Sequence, residues 1–171
     1  MQQGSPLALI GRSLEQVAFV VKDLDAAQRF FSQSMGIPRF YVIENFGRRA
    51  TNKTFRGRSA EHDFTIALAY SGNTQIELIQ HLSGDTCYKE FLERRGEGMQ
   101  HLGFFLDDRQ QHQETLAEFQ RNGFSVLQNG RFGDASYTYF DTESAIGAVM
   151  EIVYLDQRSK ELMVRIKRGE F

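Results

Sequence analysis

The feature that most constrains this chain is a pattern written twice. Residues 13–25 read SLEQVAFVVKDLD and residues 96–108 read GEGMQHLGFFLDD. Each is a run rich in Val, Phe and Leu that reads as a strand, followed by a turn whose aspartate can cap a helix. Gln16 stands in the first run where His101 stands in the second. A chain that restarts the same strand–turn–helix plan halfway along is expected to build two related modules around shared apolar surface.

The remaining elements keep that order. After Asp23, Ala27, Phe30, Phe31 and Met35 recur at helical spacing, Gly36 ends the helix and Pro38 forbids its continuation. A second strand is expected over Pro38 to Phe46. Residues 47–62 are polar and basic, and read as an excursion or lid. Phe64 to Tyr70 and Thr74 to Gln80 read as strands joined by a hairpin at Ser71-Gly72-Asn73. The first module, 14–81, is therefore β-α-β-β-β. Residues 82–97 hold a linking helix. The second module, 98–155, repeats the order: a strand from Met99, a helix capped by Asp108 and carrying His112, Leu116 and Phe119, then strands at 124–128, 136–140 and 148–154. His112 is expected at the helix surface, and His62 and His81 in loops or at a rim. Residues 1–12 read as a loose arm. The basic tail, 156–171, allows a helix through Leu162, Met163 and Ile166, or a strand through Leu162, Val164 and Ile166. The fold class is α+β.

Composition narrows the functions. A chain of 171 residues with 41% hydrophobic content suits one domain, or two small modules with one core. A formal charge of −2 supplies no basic field for nucleic acid. With Cys87 as the single cysteine, no internal disulfide can form; a reducing compartment, the cytoplasm, is expected, with Cys87 as a buried thiol. No stretch reaches the roughly 18 apolar residues of a membrane span.

Strand alternation then sorts four polar residues onto apolar faces. Gln16 shares a face with Ala18 and Val20, Glu77 with Gln75 and Ile79, His101 with Met99, Gly103 and Phe105, and Glu151 with Val149 and Val153. A buried carboxylate without a partner costs several kcal/mol, so it is paired, protonated or bound to metal. No cation lies in either glutamate's strand, and a divalent ion would neutralise both. One imidazole, two carboxylates and an amide oxygen suit Zn, Ni, Co, Mn or Fe(II). Taken one at a time, the residues also admit a core histidine, an edge-strand amide and glutamates on an open sheet face.

At these residues the chain resembles the vicinal-oxygen-chelate superfamily of glyoxalase I, methylmalonyl-CoA epimerase, extradiol dioxygenases and bleomycin-resistance proteins. The resemblance covers about 14–155 and rests on LEQVAFVVKDLDAAQRFF, QIELIQ, GEGMQHLGFFLDD and GAVMEIV. The run HLSGDTCYKEFLERRGEGMQHLGF is especially similar to the epimerase group. The resemblance implies two βαβββ modules forming a cup-shaped mixed sheet around a divalent metal, with helices outside. It maps the metal ligands onto Gln16, Glu77, His101 and Glu151. Epimerases carry histidine at the first position, whereas Gln16 is similar to some glyoxalase I enzymes. With one histidine, the two-histidine triad of Fe(II) ring-cleaving dioxygenases is missing.

The activity so implied is metal-dependent proton transfer next to a carbonyl or thioester, of the epimerase or lyase/isomerase type, on a small molecule that includes acyl-coenzyme A as a candidate. Glu151 or Glu44 would be the base; the acidic segment that epimerases carry after the second strand is replaced here by the basic excursion. The alternative is a metal-free module that binds or sequesters a small molecule in the same cup. Dimers are common in this superfamily, so a homodimer is expected. Within the excursion, Arg48, Arg49, Lys53, Arg56 and Arg58 have no acid among them. They read either as a solvated loop or as a phosphate clamp in which Arg48 and Arg49 bind substrate.

Overall fold

The repeated strands meet at the centre of the molecule. In the computed structural model, which describes residues 14–171, β1 (Gln16–Val21) lies antiparallel to β7 (Gly98–Leu106). On the first module's side, β1 runs parallel to β6 (Thr74–Gly84); β6 pairs with β5 (His62–Ser71), and β5 with the short β2 (Tyr41–Ile43). On the second side, β7 runs parallel to β10 (Val149–Tyr154); β10 pairs with β9 (Ala135–Phe140), and β9 with β8 (Val126–Phe132). The two halves mirror one another about the β1–β7 seam, and one curled sheet results. The residues expected to form a loose arm, 1–12, lie outside the described residues.

Local chemistry sets the turns as the sequence suggests. Asp23 caps α1 (Leu24–Met35) by accepting from the Ala26 N–H at 2.9 Å, and Gly36 ends it at φ 70°. Asp108 caps α4 (Arg109–Arg121) by accepting from the Gln111 N–H at 2.7 Å. Between β5 and β6, Ser71 pairs with Thr74 across a two-residue loop in which Gly72 takes φ 61°. The linking helix α3 (Cys87–Arg95) is capped by Thr86 and buries Cys87, Tyr88 and Phe91.

Alternation on the curled sheet separates three apolar layers. Outside the first half, α1 packs Leu24 and Phe31 against Ala67, Ala69, Ile76 and Leu78. Outside the second, Phe119 of α4 stacks on Phe140 beside Leu106 and Ile152. The concave side holds the third layer, with Phe64, Ile66, Leu68, Tyr137 and Tyr139 pointing inward. Each strand thus divides its side chains between a helix-covered face and the cup.

Four expectations are corrected. The second strand is short, because the chain leaves the sheet after Ile43 and forms the one-turn helix α2 (Phe46–Arg49). The excursion is sheet: β3 (Thr51–Phe55) pairs with β8 of the other half, and β4 (Arg58–Ser59) folds back on β3. Residues 44–50 therefore strap one edge of the curled sheet to the other, with the Phe46 ring stacked on Phe132 at 4.4 Å. His112 is buried facing Thr138, because it shares the helix stripe of Thr115 and Phe119. His62 is buried within β5, which begins earlier than expected, and burial next to the Lys53 ammonium pushes its imidazole down to about 4. The short helix α5 (Glu143–Ile146) before β10 was not expected.

The tail, open between helix and strand, is the helix α6 (Gln157–Arg168), capped by Asp156 and ended by Gly169 at φ 71°. Its Leu162, Met163 and Ile166 pack against the concave-side layer, so α6 lies across the cup. Among the described residues no helix is long and apolar enough to cross a membrane.

The strap depends on a glycine. A Cβ on Gly47 would stand 2.7 Å from a Phe64 ring carbon and 2.8 Å from the Asp63 Cα, both on β5. Gly47→Ala must push the strap off the sheet, at a cost of about 1–3 kcal/mol. Thermal unfolding is expected to show Tm lowered by about 2–4 °C per kcal/mol lost. A wild-type Tm would mean that the strap is not packed against β5.

Candidate metal centre

The four polar residues picked out by alternation sit on the four central strands, β6, β1, β7 and β10, and converge on the concave side. His101 is fully buried, and Gln16, Glu77 and Glu151 nearly so. Around the His101 Nε2 stand Glu151 Oε2 at 3.2 Å, Glu77 Oε2 at 3.3 Å and Gln16 Oε1 at 3.3 Å. One ligand atom from each of Glu77, His101 and Glu151 lies within 4.8 Å of the others.

The register explains the convergence. Ala18 of β1 is the partner of both Glu77 on β6 and His101 on β7, and Gly103 of β7 is the partner of both Gln16 and Glu151. The four side chains therefore project from neighbouring positions on a concave face. Gly103 leaves the necessary room: a Cβ there would stand 2.4 Å from the Gln16 Oε1.

A bulge orients the histidine. The β1–β7 register shifts between Ala18 and Phe19, whose partners are His101 and Met99, so Gln100 is the extra residue. Alternation predicted Met99 on the inner face with His101; instead Met99 is exposed, and Gln100 and His101 are buried side by side. The Gln100 Oε1 lies 2.7 Å from the His101 Nδ1. An amide oxygen can only accept, so Nδ1 carries the proton and Nε2 faces the three oxygens. Such an outer partner fixes the ring of a metal-binding histidine. Sequence reasoning missed Gln100, because a bulge depends on the partner strand.

The electrostatics do not close without a positive charge. A neutral imidazole protonated at Nδ1 would aim a lone pair at three oxygens. Burial disfavours imidazolium, yet Glu151 and Glu77 outweigh it and raise His101 to about 9. Burial also raises Glu77 above its ordinary value, opposed by His101. Even with the proton in place, one N–H cannot serve three acceptors. Glu77 Oε2 and Glu151 Oε2 are buried without a hydrogen bond. A divalent ion would satisfy all of these atoms, so the residues present fit one.

The centre faces a cavity of about 1040 Å³, comparable with the ~300–1,000 Å³ of small-molecule sites. Tyr137, Tyr139 and Phe46 contribute aromatic wall, and α6 contributes Leu162 and Met163. Glu44 lines the same cavity from an exposed position after β2. The basic excursion is largely committed elsewhere. Arg48 pairs with Asp63 at 3.3 Å and is absent from the cavity wall. Lys53 is buried on the Gly47 carbonyl and Glu61, and Arg56 binds Glu90 through two hydrogen bonds. Arg49 does line the cavity, with its guanidinium 5.0 Å from the centre of the Phe132 ring.

Comparison with known proteins agrees with this architecture. Residues 15–140 match the Glyoxalase/Bleomycin resistance protein/Dioxygenase superfamily, a span that holds Gln16, Glu77 and His101 and ends before Glu151. The mitochondrial methylmalonyl-CoA epimerase of Mus musculus is 28% identical over 108 residues, 63% of this chain and 52% of that protein. The match thus spans about half the length of that relative. The methylmalonyl-CoA epimerase of Mycobacterium tuberculosis superposes with a TM-score of 0.62 at 18% identity, covering 86% of this chain and 91% of that one. A Streptomyces coelicolor methylmalonyl-CoA epimerase variant, solved with 2-nitronate-propionyl-CoA, gives 0.60 at 19% identity, covering 85% and 95%. The chain belongs to the glyoxalase/bleomycin resistance protein/dioxygenase superfamily, the vicinal-oxygen-chelate group.

Proposed function

We propose that the protein is a metal-dependent enzyme that moves a proton next to a carbonyl or thioester, with an acyl-coenzyme A as its substrate class. The observation that carries this reading is the convergence of Gln16, Glu77, His101 and Glu151 around one point on a large cavity. These four residues would hold the divalent ion. When bound, the ion polarises the substrate carbonyl and stabilises the negative charge that develops on its oxygen. The coenzyme A class is supported by the Streptomyces coelicolor epimerase variant, solved with 2-nitronate-propionyl-CoA.

The chain's own groups supply the proton transfer. Glu151 has two carboxylate oxygens; with one held toward the ion, the carboxylate would accept the α-proton on the other. The C–H bond breaks, its electron pair delocalises toward the carbonyl oxygen, and the proton rests on the carboxylate. Glu44, in the same cavity wall, is the second carboxylate, able to exchange a proton from another direction. An epimerase needs two such positions, because the proton must return to the opposite face. Tyr137, Tyr139 and α6 limit water around the carbanion. Arg49, which lines the cavity, would meet an anionic part of the substrate, whereas Arg48 pairs with Asp63. A cytoplasmic homodimer belongs to the same proposal.

One observation favours the second reading, a metal-free binding protein: an imidazolium at His101 already lies against both carboxylates. Elemental analysis of protein purified without chelator or an affinity metal separates the two. A stoichiometric divalent ion supports the enzyme; a metal-free protein supports binding alone.

Two expected outcomes follow. With methylmalonyl-CoA in deuterated water, wild type should exchange the α-proton, and Glu151→Gln should slow exchange by about 10²–10⁴-fold, since an amide cannot accept a proton. Exchange undiminished in Glu151→Gln but lost in Glu44→Gln moves the base to Glu44; undiminished exchange in both removes proton transfer by these residues. The second outcome concerns pH. Metal binding needs a neutral Nε2, and His101 is raised to about 9, so below pH 9 the proton competes with the ion. Affinity should rise with pH toward 9, and binding at pH 7 should release about one proton. Calorimetry in buffers of different ionisation enthalpy measures the release; none would mean that the ion does not displace the His101 proton.

A further inference from the structure

The oxygen of Gln16 is useful to a cation only if its amide is held one way round. Rotated by half a turn, Gln16 would aim N–H donors at the centre. A second buried amide settles the choice. Gln75, on β6 opposite Gln16 and almost fully buried, accepts from the Gln16 Nε2 through its Oε1 at 2.9 Å. Its own Nε2 donates to the Tyr70 hydroxyl at 3.0 Å and to the Met163 thioether of α6 at 3.0 Å. A thioether cannot donate, so Met163 fixes the sense of Gln75. Gln75 Oε1, which cannot donate either, then fixes the sense of Gln16. The hydrogen bonds run in one direction from the centre to the tail helix.

We propose that Gln75 is the positioning residue that turns the Gln16 oxygen toward the metal centre, and that α6 holds Gln75 in place through Met163. The inference rests on the metal reading above. It gives α6, which lies beyond the span matched by the superfamily, a second task besides covering the cavity. Gln75 has no part in proton transfer; its effect passes through Gln16.

The test is a double-mutant cycle read by Co(II) affinity and the visible spectrum of the bound ion. Wild type, Gln16→Ala, Gln75→Leu and the double variant are titrated with Co(II), with folding checked by circular dichroism. Losing such an outer partner costs about 10–100-fold in metal affinity, expected here for Gln75→Leu with an altered spectrum. Adding Gln75→Leu to Gln16→Ala should cost nothing more, because nothing then remains to be oriented. Additive losses, or no loss in Gln75→Leu, overturn the proposal. Should Gln75→Leu fail to fold, Tyr70→Phe/Met163→Leu removes both acceptors of the Gln75 amide at nearly constant volume. It should weaken Co(II) binding, again only when Gln16 is present; equal binding with and without these changes overturns the proposal. A wild type that binds no divalent ion overturns both this inference and the metal reading, whereas a binding wild type with additive variants overturns this inference alone.

Discussion

The structure depends on how two buried carboxylates are reconciled with one imidazole. Glu77 and Glu151 come from opposite modules and cannot both remain charged in an apolar cup without positive charge between them. His101 supplies one charge as imidazolium, but its single Nε2–H cannot serve the Glu151, Glu77 and Gln16 oxygens that stand 3.2–3.3 Å away. The same atoms form a ready donor set for a divalent ion. The apolar strands around them set how strongly that charge is felt, because water is kept from screening it.

That arrangement needs the seam between modules. β1 and β7 are equivalent strands placed side by side, so each module brings one donor on its seam strand and one on the strand parallel to it. Two small departures from symmetry make the site specific. The bulge at Gln100 exists only in β7 and rotates a hydrogen-bond acceptor to the His101 Nδ1. Gly103 has no side chain, and its open space is filled by the Gln16 amide.

Much of this was legible in the sequence. Capping aspartates, Gly36 and the Ser71-Gly72-Asn73 turn act through neighbours a few residues away, so their effects follow from local chemistry. The inward faces of β1, β6 and β10 follow from period-2 alternation, which brought Gln16, Glu77 and Glu151 to attention. Alternation failed at Met99, because a bulge is decided by the partner strand. It also gave no sign that the excursion would pair with β8, since that pairing joins Thr54 to Asn129 across the whole fold. His112 and His62 were misplaced for another reason: polar residues on apolar stripes carry no local mark of which way they face. Gln75 lay on the same inner face as Glu77, yet its function appears only when the tail is folded over it.

The elements that partly cover the concave face are those that the repeat does not contain. A symmetric pair of modules would leave both ends of the curled sheet alike and its concave face wet. The strap at 44–50 closes one side by stacking Phe46 on Phe132 and carrying β3 across to β8. The tail helix closes another by seating Leu162, Met163 and Ile166 on the concave layer and anchoring Phe171 against Tyr41 and Arg39. Both closures rest on aromatic or long apolar side chains that lie outside the four central strands. The donor positions are therefore set by the repeated framework, with the Gln16 amide turned through Gln75 and Met163 of α6, while the shape of the space above them is set by the strap and α6. A change in the substrate accepted would then be expected in those two segments, with the donor set unaltered.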